Sequence, residues 1–185
     1  MNPMVTVIYA TAQPGVLSGL ERITEEDLNE LRSKLPKGTR ELVDCDEDTL
    51  LFLHPTFSEL TLIPLDDPTR LTFVGGLIPV VTQDEAGNIL MQAFSSPESL
   101  ALTRTDGFGT YYSRSRKSLW KKGDTSGHIQ KVRQVLTSND GDFVVYRVNQ
   151  VGAACHEGYY SCFFRERVEQ QLSRLPVPFL GKENA

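Results

Sequence analysis

The sequence lacks several features that would classify it at once. It has no run of about eighteen apolar residues, which excludes a transmembrane helix and sets the expectation of no membrane partner. It has no excess of positive charge: 19 Lys and Arg against 24 Asp and Glu leave a formal net charge of −5. No bulk attraction to nucleic acid is therefore expected, and any phosphate must be held by a local basic patch. The opening MNPMVTVIYATAQPG has neither the basic start nor the long apolar stretch of a signal peptide, so a cytoplasmic protein is expected. There are only three cysteines. An odd, small number in a reducing compartment argues against a disulfide framework and leaves buried hydrophobes, a nucleophile or metal ligands. No segment is of low complexity.

What is present describes a globular chain. A length of 185 residues, with 39% hydrophobic and 23% charged, is enough to bury a core unaided. Val5–Tyr9 is β-prone. Thr24 followed by Asp27 reads as the cap of a helix that Pro36 and Gly38 stop, with Leu28, Leu31 and Leu35 on one face. Leu42–Leu53 and Leu60–Leu65 read as strands, and Leu65 to Arg70 as a turn. From Gly75 the run GGLIPVVTQDEAGNILMQAF predicts two strands around Glu85-Ala86-Gly87-Asn88. Ser96 with Pro97 and Glu98 predicts a helix start, ending at Thr105 to Gly107. The β-prone TYYSRS, KVRQVLT and FVVYRVNQV follow, so the expected class is α+β with a mixed, mainly antiparallel sheet.

Three polar stretches carry candidate chemistry. ELVDCDEDTLLFL, Glu41 to Leu53, sets Cys45 among Asp44, Asp46 and Asp48. An acidic turn explains the acids but not the thiol. In YYSRSRKSLWKKGDTSGHIQKV, Tyr111 to Val132, the charged Arg114, Arg116, Lys121 and Lys122 alternate with Ser113, Ser115, Thr125, Ser126 and two glycines. Guanidinium, hydroxyl and exposed backbone N–H groups are the donors that phosphate needs, and Trp120 could stack on a base. A solvated basic strand with a core tryptophan is the alternative. In GAACHEGYYSCFF, Gly152 to Phe164, six residues separate Cys155 from Cys162, and His156 adjoins the first. This spacing is unlike the C-x-x-C knuckle of structural zinc sites, and inert buried cysteines remain an alternative.

Taken together, LIPVVTQDEAGNILMQAF, YYSRSRKSLWKKGDTSGHIQKV and ACHEGYYSCFF give the chain from Gly76 to about Phe164 a specific resemblance to the phosphoribosyl-AMP cyclohydrolases of histidine biosynthesis. The resemblance divides the chain into an N-terminal extension, 1–70, a cyclohydrolase-like domain, 71–168, and a C-terminal tail, 169–185. The extension is expected to be a small α/β unit. The resemblance implies a homodimer with active sites at the subunit interface. It further implies zinc held by three cysteines and magnesium held by the aspartates of a D-C-D-x-D motif. Cys155 and Cys162 match two zinc cysteines, and His156 matches a histidine that assists catalysis. His128 is a second candidate for moving protons.

The chain departs from the family at one place. Where the family has D-C-D-x-D it reads SNDGD, with Ser138 and Asn139 replacing an acid and the thiol, and only Asp140 and Asp142 retained. An amide is a poor substitute for thiolate at zinc, and a lost carboxylate weakens a hard-cation site. The missing string stands instead at Asp44 to Asp48, so the expected third thiolate is Cys45, with Asp44, Asp46 and Asp48 beside it. The three cysteines then fill a three-thiolate set with none left over.

The expected chemistry is attack of an activated water on C6 of the adenine ring, which opens N1–C6, with Zn2+ and Mg2+ as cofactors and a nucleotide as substrate. A degenerate relative with a regulatory or structural role, or one acting on another purine nucleotide, is the competing expectation. A base deaminase fits poorly, because it needs H-x-E and P-C-x-x-C. Only RERVEQQLSRLPVPFLGKENA follows Phe164, so the next pathway step is expected to need another protein.

Overall fold

The computed structural model describes residues 5–10, 20–47, 49–55 and 62–182, with side chains described from residue 24 onward. The chain divides into two compact units, one of residues 1–60 with 163–176 and the other of 61–162 with 177–185.

Among the described residues the first unit is a six-stranded sheet. Its strands are β1 (Val5–Ala10), β2 (Leu20–Ile23), β3 (Arg40–Val43), β4 (Thr49–Leu53) and, from the far end of the chain, β12 (Arg165–Val168) and β13 (Gln171–Arg174). Their order is β13-β12-β3-β4-β1-β2, and among the described residues only β1 with β4 is a parallel pair. Helix α1 (Glu25–Lys34) begins at Thr24, whose hydroxyl accepts from the Asp27 N–H while the Asp27 carboxylate accepts from the Thr24 N–H. That reciprocal cap satisfies two otherwise unpaired donors. Leu28 is buried and packs with Val43, Leu50 and Phe52, with Leu31 and Leu35 at the margin. The predicted single strand Leu42–Leu53 is in fact two strands with a turn between them. Asp44 closes that turn: its N–H donates to the Thr49 carbonyl at 3.1 Å and its carboxylate accepts from the Thr49 N–H at 3.2 Å. Glu47 has φ +60°, a left-handed conformation that no strand contains.

The second unit is a seven-stranded sheet built on β5 (Ile63–Pro64), β6 (Ile78–Asp84), β7 (Ile89–Ser95), β8 (Thr110–Ser113), β9 (Ser118–Lys121), β10 (Gln130–Thr137) and β11 (Val144–Gln150). The order is β5-β10-β11-β6-β7-β8-β9, with β6 and β11 the parallel pair. Helix α2 (Pro97–Asp106) has Ser96 as its cap, Pro97 in its first turn and Gly107 at φ +73° as its stop, as the sequence predicts. Ile78, Val80, Leu90, Leu100, Tyr111, Val144, Tyr146 and Val148 form the core. The sheets are mainly antiparallel with two α-helices among the described residues, the α+β class expected. No helix among the described residues is long and apolar enough to cross a membrane.

The β10–β11 turn is cemented to the segment before β6. The Thr72 N–H donates to the Gly141 carbonyl at 2.8 Å, and a Cβ on Gly141 would lie 2.1 Å from the Arg70 carbonyl oxygen. Gly141 also has φ +66°, so both space and backbone exclude a side chain. Gly141→Ala is expected to cost at least about 2 kcal/mol, read as a lower urea midpoint at unchanged slope.

Candidate active site

The two C-terminal cysteines of the second unit are carried by an irregular loop that folds back on itself. The Ala154 N–H donates to the Tyr160 carbonyl at 3.3 Å and the Cys155 N–H to the Tyr159 carbonyl at 3.1 Å. This return brings the Cys155 and Cys162 sulfurs within 4.8 Å of each other. Tetrahedral zinc with Zn–S near 2.3 Å holds its sulfurs roughly 3.8 Å apart, a distance that small side-chain rotations reach. Cys155 is buried, and the Glu157 N–H points at its Sγ from 3.3 Å. An amide aimed at sulfur favours the thiolate that a metal requires. The pair therefore suits a thiophilic ion.

The loop is fixed to the β6–β7 hairpin at three consecutive residues. The Cys162 N–H donates to the Leu90 carbonyl at 2.7 Å, the Ser161 hydroxyl to the Ile89 carbonyl at 2.7 Å, and the Tyr160 hydroxyl to the Asp84 carboxylate at 3.1 Å. Asp84 also accepts from the N–H groups of Ala86 and Asn88 and from the Asn88 amide, so one carboxylate shapes the hairpin turn and receives the loop. Burial, and then the charge of Asp84, push the Tyr160 phenol above its usual range, which keeps it a neutral donor. Asp84 and Tyr160 were missed in the sequence, although an Asp opening the turn QDEAGN is the signal that could have found the first.

The histidines stand on either side of Cys155 in the chain. His156 is exposed, with Nε2 3.5 Å from the Glu157 carboxylate, which also takes Lys182 at 2.6 Å. His128 is half-buried, its N–H donating to the Ser126 hydroxyl at 3.2 Å. Its ring lies against Gly152, where a Cβ would meet His128 Cδ2 at 2.4 Å, so this histidine packs at the entry to the cysteine loop.

The basic segment is the β8–β9 hairpin and the turn after it, at the free edge of the seven-stranded sheet. The Ser113 hydroxyl accepts from both the N–H and the Nε of Arg116 at 3.3 Å and lies 3.4 Å from the Ser115 hydroxyl. The Arg114 guanidinium lies over the Phe94 ring at 4.1 Å, a cation–π contact that spreads its charge along the sheet face. Trp120 is half-buried, its ring 4.9 Å from that of Tyr111. Lys122 is buried, Ser126 half-buried and Thr125 exposed.

At the SNDGD turn, the Ser138 hydroxyl donates to the Asp142 carboxylate, and the Asp142 N–H returns to that hydroxyl at 3.4 Å. The serine thus closes the turn. Asn139 and Asp140 are exposed. Among the described residues, neither Asp140 nor Asp142 joins a group of three or more metal-ligating side chains within reach of one ion.

In the first unit Asp44 and Cys45 are half-buried and Asp46 exposed in the β3–β4 turn, while Asp48 lies outside the described residues. Arg165, also missed in the sequence, binds this turn. Its Nη2 donates to the Asp44 carbonyl at 2.8 Å and to the Cys45 carbonyl at 2.7 Å, and its Nη1 pairs with Glu47.

A family model for phosphoribosyl-AMP cyclohydrolase matches residues 91–164. A phosphoribosyl-AMP cyclohydrolase of Leptospira interrogans serogroup Icterohaemorrhagiae serovar Lai (strain 56601) is 52% identical over 179 residues, 94% of this chain and 93% of its own. The chain belongs to the phosphoribosyl-AMP cyclohydrolase family. The relative from Methanoregula boonei is 52% identical over 92 residues, 49% of this chain and 75% of its own. That from Methanospirillum hungatei JF-1 is 53% identical over 91 residues, 49% of this chain and 70% of its own. The shared segment contains both Cys155 and Cys162.

Asp84→Ala is expected to cost about 2 kcal/mol, because it removes the acceptor of four part-buried bonds at once, with Asp84→Asn milder. Chemical denaturation of the two variants checks the order, and equal stability would remove the anchoring role.

Proposed function

We propose that this chain opens the purine ring of 1-(5-phosphoribosyl)-AMP by hydrolysing N1–C6, in histidine biosynthesis, as a cytoplasmic homodimer. The observation that carries the reading is the 52% identity extending over 94% of the chain. It covers the N-terminal part as well as the segment matched by the family model.

Cys155 and Cys162 suit zinc by their separation, and Cys155 also by its burial and the amide aimed at its sulfur. Cys45 is the third thiolate of the proposal, argued from the sequence: its D-C-D-x-D string supplies what Asn139 does not. Asp44, Asp46 and Asp48 of that string, with Asp140 and Asp142 as the other acids, are the oxygen donors for magnesium, a cation that prefers carboxylate and water to sulfur. When bound, a thiolate-held zinc lowers the pKa of water so that hydroxide is available near neutral pH.

The remaining residues hold substrate and move protons. The Ser113–Arg116 turn, with Lys122, Thr125 and Ser126, offers guanidinium, ammonium and hydroxyl donors to the substrate phosphates, and Trp120 an apolar face to the base. Water adds its oxygen to C6, N1 leaves with a proton, and the exocyclic nitrogen stays as a carboxamide. His156, exposed beside Glu157, exchanges protons with solvent, while the more sheltered His128 is the candidate to hand one to N1. A nucleotide-binding relative without catalysis is the second reading, favoured by the Ser138–Asp142 bond that closes the usual metal turn.

Two measurements test the proposal. The purified protein is expected to turn over phosphoribosyl-AMP with about one zinc per chain by elemental analysis. Cys45→Ser is expected to lose zinc and activity as severely as Cys155→Ser, and Asn139→Cys to restore part of both. Full zinc and normal turnover in Cys45→Ser would exclude Cys45 from the set. Absence of turnover with zinc and magnesium supplied would favour the second reading. Separately, Arg114→Ala and Arg116→Ala are each expected to lower kcat/KM by about tenfold or more while shifting Tm little, since each removes a charge-assisted phosphate contact. Unchanged kinetic constants in both would move the phosphates elsewhere.

A further inference from the structure

The β3–β4 turn is held by a residue more than a hundred positions away in sequence. Arg165 opens β12 and faces Val43, the last residue of β3, in the antiparallel register of the two strands. That register sets the guanidinium beside the turn. One nitrogen, Nη2, donates to the carbonyls of both Asp44 and Cys45, and the other terminal nitrogen, Nη1, donates to the Glu47 carboxylate. Two successive carbonyls converging on one donor fix the orientation of the peptide between them, and hence the direction in which the Cys45 Cα–Cβ bond leaves the backbone. The ion pair with Glu47 ties down the residue that holds the left-handed φ of +60°. Among the described residues its Nε is buried without a hydrogen-bond partner, while both terminal nitrogens are directed at the turn.

We infer that Arg165 is a positioning residue for the Cys45 thiol. It acts on the proposed metal site through the turn, since a cationic guanidinium is not itself a metal ligand. The inference rests on the reading of Cys45 as a ligand. It assigns a role in that site to β12, a strand contributed by the other end of the chain.

Cobalt titration of the full-length protein, stripped of zinc, tests it, because near-ultraviolet thiolate-to-cobalt absorption reports how many thiolates bind. Arg165→Met is expected to weaken cobalt binding by about 10–100-fold, the usual effect of removing an outer support of a metal ligand. Its absorption should fall toward that of Cys45→Ser. Arg165→Lys should recover part of the loss. The double variant Arg165→Met/Cys45→Ser should bind cobalt no more weakly than Cys45→Ser alone. Glu47→Gln, which removes an exposed partner and leaves the carbonyl bonds, should give a smaller loss in the same direction and serves if Arg165→Met does not fold. Wild-type affinity and intensity in both Arg165→Met and Glu47→Gln, while Cys45→Ser is impaired, would overturn the inference and leave Cys45 as a ligand. Full additivity in the double variant would overturn it too, because the arginine would then act on the fold at large. Wild-type cobalt binding in Cys45→Ser would overturn the ligand reading itself, and the inference with it.

Discussion

The second unit depends on one constraint: a loop without regular structure must hold two sulfurs within a narrow distance. The loop makes a few backbone bonds of its own, Ala154 to Tyr160 and Cys155 to Tyr159 among them, and the neighbouring hairpin fixes it in place through one further backbone bond and two hydroxyls. Cys162 and Ser161 bond the carbonyls of Leu90 and Ile89, and Tyr160 bonds Asp84. The hairpin can serve as an anchor because its strand residues Ile78, Val80 and Leu90 are fully buried and β6 is paired on both sides. Apolar burial thus holds the hairpin still, and the hairpin holds the loop. A cysteine pair built on such a scaffold is preorganised, and on the proposed zinc reading that is how outer supports raise metal affinity.

What the sequence made legible was local. Thr24 with Asp27, Ser96 with Pro97, and Gly107 name helix ends because a capping side chain acts within three or four residues of itself. The hairpin around Gly87 was readable for the same reason. Cys155 and Cys162 were readable through family resemblance, and six intervening residues allow a loop to return on itself. The turn inside Leu42–Leu53 was legible in its acids, but strongly apolar flanks on both sides also let the run read as one strand. The Asp44 bonds to Thr49 and the left-handed Glu47 decide for the turn.

The pairing of β12 with β3 was not legible at all. It joins residues such as Arg40 and Glu166, 126 positions apart, and RERV is as polar as any tail. The information lies in partners rather than in the strand. In strand alternation Arg165 and Arg167 share one side, and Arg167 donates to Glu41 at 3.0 Å while Arg32 of α1 grips the same carboxylate at 2.7 and 2.9 Å. Glu41 is buried, 7% exposed, and only two guanidiniums make its charge tolerable there. Charge matching therefore selects the register that apolar patterning leaves undefined.

That register has a chemical consequence. A slip of β12 by one residue against β3 would carry Arg167 away from Glu41 and turn Arg165 to the opposite face, removing its bonds to the Asp44 and Cys45 carbonyls. A buried carboxylate without its partners costs several kcal/mol, and each turn bond, donated by a charged guanidinium, contributes about 1.5–3 kcal/mol. The Glu41 cluster and the turn bonds therefore favour the same register, and the position of Arg165 beside the turn follows from it. Stability of the first unit and geometry of the Asp44–Glu47 turn are set by the same strand pairing, so a substitution at Glu41 reaches the turn without touching any of its residues.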